Sequence, residues 1–131
     1  MAFNAYQPSI VRLCGRLDAA SSQDLRDRLE AAIAPTHPTI GQQPPWAIDL
    51  SGVDFIDGVG LATLVALYRR AQEHHLSLMF INPQPPVRLV FEIAQIDRVF
   101  DIYPSYEAAI AAWESARAAV IQRPRTTTTA A

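Results

Sequence analysis

DLSGVDFIDGVGLATL, residues 49–64, decides how this chain is to be read. It passes from an apolar strand through a short polar turn into an apolar helix. Upstream, residues 46–50 (WAIDL) make an apolar run of strand length, bounded by proline before it and by Ser51-Gly52 after it. Downstream, Leu61, Leu64, Val65 and Tyr68 recur at helical spacing, giving a buried stripe for a helix over residues 60–74. Arg69, Arg70, Gln72 and Glu73 gather at its wet end, and His74 and His75 close it. Asp57 stands at the corner between strand and helix. Its carboxylate is placed to accept amide hydrogens of the first helical turn, a cap worth about 1 kcal/mol. Gly58 and Gly60 each sacrifice up to about 1 kcal/mol of helix propensity relative to alanine. Two such costs in one turn have two explanations. The glycines leave the backbone bare for a close-fitting partner or anion, or they avoid crowding against the sheet.

The same alternation extends in both directions. Residues 9–14 form an apolar strand, and Gly15-Arg16-Leu17-Asp18 is expected to break it. Cys14, the single cysteine, is expected as a small core side chain. Ser21 or Ser22 caps a helix whose Leu25, Leu29 and Ile33 share one face, and Pro35 stops it. Residues 34–46, with prolines at 35, 38, 44 and 45, read as a semi-extended surface insertion. Residues 76–81 (LSLMFI) make the next strand, followed by a helix over 86–94 with Val87, Val90, Phe91 and Ala94 inward. A short strand over 99–102 precedes a last helix capped by Ser105 and anchored by Tyr106, Ile110 and Trp113. A further short strand is expected over residues 3–6, and residues 123–131 (RPRTTTTAA) read as a disordered tail. The chain is thus an α/β protein with a mostly parallel, mixed sheet of four to five strands and about four helices, one domain over residues 1–122. Sites in such sheets collect where strands end and helices begin, which directs attention to Asp18 and Asp57.

Composition narrows the function. With a net charge of −2 the chain lacks the basic face that nucleic acid requires. No apolar run approaches the ~20 residues that span a bilayer, and the first ten residues carry no secretory signal pattern. The expected compartment is the cytoplasm. Gly58-Val59-Gly60-Leu61-Ala62-Thr63 partly imitates a dinucleotide fingerprint. However, Thr63 replaces the third small residue, no acidic residue ends the next strand, and Asp57 would oppose a pyrophosphate. Neither a nucleophile elbow nor a phosphate-loop lysine is present. His74 and His75 are adjacent and diverge by about 100° on a helix, and His37 sits among prolines, so no metal set is expected. Catalysis, cofactors and metals are accordingly not expected.

WAIDLSGVDFIDGVGLATLVALYRRA, residues 46–71, closely resembles the signature of STAS domains, the fold shared by anti-sigma factor antagonists and the cytoplasmic domains of sulfate transporters. VRLCGRLDAASSQDLRDRL before it and LSLMFINPQPPVRLVFEIAQIDRVFDIYPSYEAAIAAW after it resemble the remaining units of that fold, so the likeness covers roughly residues 9–115. The resemblance implies protein binding. In the bacterial regulatory members the unmodified domain binds an anti-sigma factor that is also a serine kinase, and phosphorylation of a serine directly after the helix-start aspartate releases it. Carried over, Asp57 matches that aspartate and Gly60 the family glycine, but the phosphoacceptor position is Gly58 and its neighbour is Val59. The expected partner surface is therefore Asp18, Asp57, Gly58, Val59 and Gly60, with no phosphorylation at the usual position. Ser51, Thr63 and Thr126 to Thr129 are the other candidate hydroxyls. An alternative role is a STAS subunit bracing an ABC-type lipid or solute transport ATPase. A third is a nucleotide or other anion bound at Gly58 to Leu61.

Overall fold

A computed structural model of the chain describes residues 9–33 and 45–122. Within them the order is β1 (Ser9–Leu17), α1 (Ala19–Ile33), β2 (Trp46–Ile56), α2 (Gly58–Glu73), β3 (Leu78–Ile81), α3 (Pro85–Ile93), a 3-10 turn (Ile96–Arg98), β4 (Asp101–Tyr103) and α4 (Tyr106–Gln122). The expected strand at 3–6, the proline-rich stretch up to residue 44 and the tail from 123 lie outside the described residues.

The four strands pair in parallel in the order β1-β2-β3-β4. When strands are added always on the same side, right-handed crossovers deliver every connecting helix to one face. Accordingly Leu25 and Leu29 of α1, Leu64, Leu67 and Tyr68 of α2, and Val87 and Phe91 of α3 share one core with Val11, Leu17, Ile48, Leu50, Val53 and Phe80 of the sheet. The opposite face is covered by α4, where Ala109 with Tyr106, Ile110 and Trp113 packs on Ala47, Met79 and Ile81. All four residues of β3 are buried, because that strand has helices on both faces.

Several expected boundaries move. β1 runs on through Gly15-Arg16-Leu17, and β2 through residues 51–56, because two register shifts absorb the residues that interrupt their alternation. Gly15 takes φ 80° beside the second shift, a left-handed conformation that costs a side-chain-bearing residue about 1 kcal/mol or more. Along β1, Val11 and Leu17 point into the core while Arg12, Cys14 and Arg16 point outward. Cys14 is therefore exposed and not the core residue expected from its apolar neighbours. α1 is capped by Asp18, not by Ser21 or Ser22. The Ser21 amide donates to Asp18 Oδ1 at 3.3 Å and the Asp18 amide donates to Ser21 Oγ at 3.0 Å, a reciprocal box. Ala94 caps α3 in an exposed position, and β4 begins two residues later than expected because the 3-10 turn occupies the chain before it. Ser105 caps α4 as expected, its Oγ accepting the Ala108 amide at 3.1 Å.

Candidate functional site

The starts of α1 and α2 meet at the carboxyl end of β1. Leu17, buried among the core leucines, presents its carbonyl to the Asp57 amide, which donates to it at 3.3 Å. The Asp57 carboxylate turns back and accepts the Gly60 amide at 2.8 Å, and Leu61 donates to the Asp57 carbonyl at 2.9 Å to close the first turn. Asp57 thus caps α2 as its position in the sequence requires.

The two glycines of this turn have different reasons. A Cβ on Gly60 would lie 2.2 Å from the Leu17 oxygen, so this residue is bare because the helix touches the end of β1. A Cβ on Gly58 would meet nothing within 4 Å, and Gly58 is exposed. Crowding therefore explains Gly60, and the open side of the turn is at Gly58 and at Val59, whose side chain is 51% exposed. Asp18, half-buried at the head of α1, is tied to Ser21, which also donates from its hydroxyl to the Arg16 carbonyl at 2.8 Å. Asp18 and the residues of 57–60 accordingly stand on two helix starts bound to consecutive residues, Leu17 and Asp18.

Two further residues enlarge this surface. Phe55 is 38% exposed, and the Arg16 guanidinium lies 4.0 Å from its ring centre. Their strand positions are paired, Arg16 opposite Phe55. The sequence alone reads both as turn residues, and the signal available for them is the apolar Phe55 two residues before the cap. Asp54 next to it is exposed. A bulky aromatic under a guanidinium, a half-exposed valine and exposed acidic groups make a mixed apolar and charged surface, suited to a protein partner.

The other candidate hydroxyls fare differently. Thr63 is buried and its Oγ1 accepts from Arg26 at 3.3 Å, so it braces α1 against α2. Ser51 is exposed on β2, with its amide donated to Asp49 Oδ1 at 2.9 Å and its carbonyl accepting the Gln84 side chain. Thr126 to Thr129 lie outside the described residues. Among the described residues no three His, Cys, Asp or Glu side chains converge in a metal-holding group. Nor is any described helix long and apolar enough to cross a membrane. At the turn itself the Asp57 carboxylate already occupies the Gly60 amide, which puts negative charge where an anion would have to sit.

A concavity of about 410 Å³ lies at the opposite end of the sheet, between the last turn of α2 and the first residues of β3 and β4. Tyr68 and Asp101 face each other across it, with the phenol donating to Asp101 Oδ2 at 3.4 Å. Burial raises the Asp101 carboxyl above the usual carboxylate range, against the pull of that hydrogen bond. Burial and then the neighbouring Asp101 charge raise the Tyr68 phenol.

Comparison with known proteins adds the context. The STAS domain family model matches residues 4–109. A Bordetella bronchiseptica protein, BtrV, provisionally named an anti-sigma factor antagonist, is 27% identical over 107 residues, covering 82% of this chain and 87% of that protein. A crystal structure of an anti-sigma factor antagonist from Mycobacterium paratuberculosis superposes with a TM-score of 0.69 at 24% identity, over 87% of this chain and 90% of that one. The STAS domain of a SulP transporter from Vibrio cholerae gives 0.68 at 16% identity, over 90% and 88%.

Proposed function

Because the chain belongs to the STAS domain family, we propose that it is a binding domain of the anti-sigma factor antagonist type, which docks a regulatory protein at the corner where α1 and α2 begin. Asp18, Asp57, Gly58 and Val59 form the contact surface, whereas Gly60, expected beside them, is buried against Leu17 and only shapes the turn. The partner is an anti-sigma factor with serine-kinase activity. The domain itself performs no reaction in this reading. BtrV, which matches most of both chains, supports the choice of this branch of the family.

The observation that carries the reading is the open side of the α2 turn. Gly58 is exposed with free space where a side chain would stand, and Val59 beside it is half exposed, while Gly60 locks the turn onto Leu17. A phosphoryl group here would add about −1.5 to −2 charge next to the Asp57 carboxylate and repel a docked partner. Gly58, Val59 and Gly60 have no hydroxyl to receive one. The corner consequently stays in its binding form, and control of the complex falls to the partner's abundance or to a modification elsewhere.

The test is incubation with the cognate anti-sigma kinase and labelled ATP. Wild type binds the kinase and takes up no label in residues 57–61, whereas Gly58→Ser binds and becomes labelled. A kinase that neither binds wild type nor labels Gly58→Ser overturns the reading. Recovery of the chain in a stable stoichiometric complex with an ABC-type ATPase would instead assign it to a transport assembly.

A further inference from the structure

α3 is apolar on two sides. Val87 and Phe91 are fully buried against the sheet, yet Leu89 and Ile93, on the far side, are 54% and 74% exposed. A helix that packs through one face is expected to be polar on the other. Leu89 and Ile93 are one turn apart and form a single row. Arg88 and Glu92, also one turn apart, form the row beside it, both exposed. Although spaced to pair with each other, Arg88 and Glu92 make no ion pair among the described residues.

We propose that this face of α3 is a self-association surface, occupied by the α3 of a second copy of the chain running antiparallel across a two-fold axis. The argument is charge and shape complementarity of the segment with itself. An isologous contact requires that residue i meet residue j and residue j meet residue i. Placing the axis at about residue 90 or 91 sets Arg88 of each copy against Glu92 of the other. The same axis sets Leu89 against Ile93. The two rows call for axes one residue apart, a difference of about 1.5 Å along the helix, which side chains of this length absorb. Thus one operation covers both exposed apolar side chains and pairs both unpaired charges. None of these four residues belongs to the α1/α2 corner, so the two surfaces stand or fall separately.

The contact is small. Stable interfaces bury roughly 1,200–2,000 Å² in total, and a pair of nine-residue helices reaches less, so the dimer belongs to the weak, transient class.

Sedimentation equilibrium of the full chain between 10 μM and 1 mM reads this directly. Wild type rises in mean mass toward two copies across that range. Arg88→Glu and Glu92→Arg, each of which sets like charges across the axis, stay at one copy throughout. An equimolar mixture of the two variants associates at least tenfold more tightly than either alone, because every cross-axis pair is then opposite in sign. Ile93→Asp, at the most exposed of these positions, abolishes association while leaving the circular dichroism spectrum unchanged. A wild type of single-copy mass at 1 mM overturns the proposal, as does a mixture no more associated than its components.

Discussion

At the scale of single residues, the two glycines of the α2 turn are alike in sequence and opposite in consequence. A methyl on Gly60 is driven into the Leu17 carbonyl, where the contacting atom is backbone and cannot swing aside. Gly60→Ala is expected to lose about 3 kcal/mol of unfolding free energy, at the upper end of overpacking costs. Gly58→Ala meets open space and replaces the poorer helix former, so it should gain about 0.5–1 kcal/mol. Urea denaturation of the two variants checks both signs, and a Gly60→Ala protein as stable as wild type would contradict the packing described. Asp57 and its capping role were legible from sequence, because a carboxylate before a helical stripe has one well-defined use. The division of labour between Gly58 and Gly60 was not, since it depends on a carbonyl more than forty residues away along the chain.

At the scale of elements, the strands and helices were recognisable by period, and the errors fell where the period breaks. Ser51-Gly52 reads as a turn that would end β2 at Leu50, yet paired bulges let β1 and β2 continue together to Leu17 and Ile56. Bulges are properties of two strands at once and leave little trace in either alone. The continued pairing is what carries Arg16 and Phe55 onto the sheet, while Cys14 takes the outward row despite its apolar neighbours. β4 offers a pH-dependent test. Burial raises Asp101 above its ordinary value, so the folded chain holds that proton more tightly than the unfolded one. Above the folded pKa the charged carboxylate therefore works against the fold, and the disadvantage fades as pH falls through that value toward the unfolded one. Asp101→Asn should melt higher than wild type at pH 7, with a difference that shrinks towards zero below about pH 4. Thermal melts across that range measure it, and a variant that melts lower than wild type at pH 7 would reverse the sign.

At the scale of the whole molecule, the order of strands determines the rest. Sequential addition of parallel strands puts three helices on one side and leaves α4 to close the other, so the sheet is the middle of three layers. Phe80 of the buried β3 is fully buried in the larger core and belongs to an aromatic cluster centred on Phe100. Phe80 stacks on Phe100 at 4.3 Å between ring centres, and Phe100 also meets Phe91 edge-on at 5.6 Å and Tyr68 at 5.2 Å. Phe80→Ala should cost about 3–5 kcal/mol, enough to bring an ordinary domain of this size close to unfolding, as calorimetry will show. The outward row of β1 has a practical consequence for studying the complex. Cys14 is the sole thiol of the chain, exposed on the side away from α1, α2 and α3 and three residues before Leu17. A maleimide dye coupled there attaches to native protein at one site, on the same outward row as Arg16, and so reports docking at the edge of the Arg16–Phe55 patch by anisotropy.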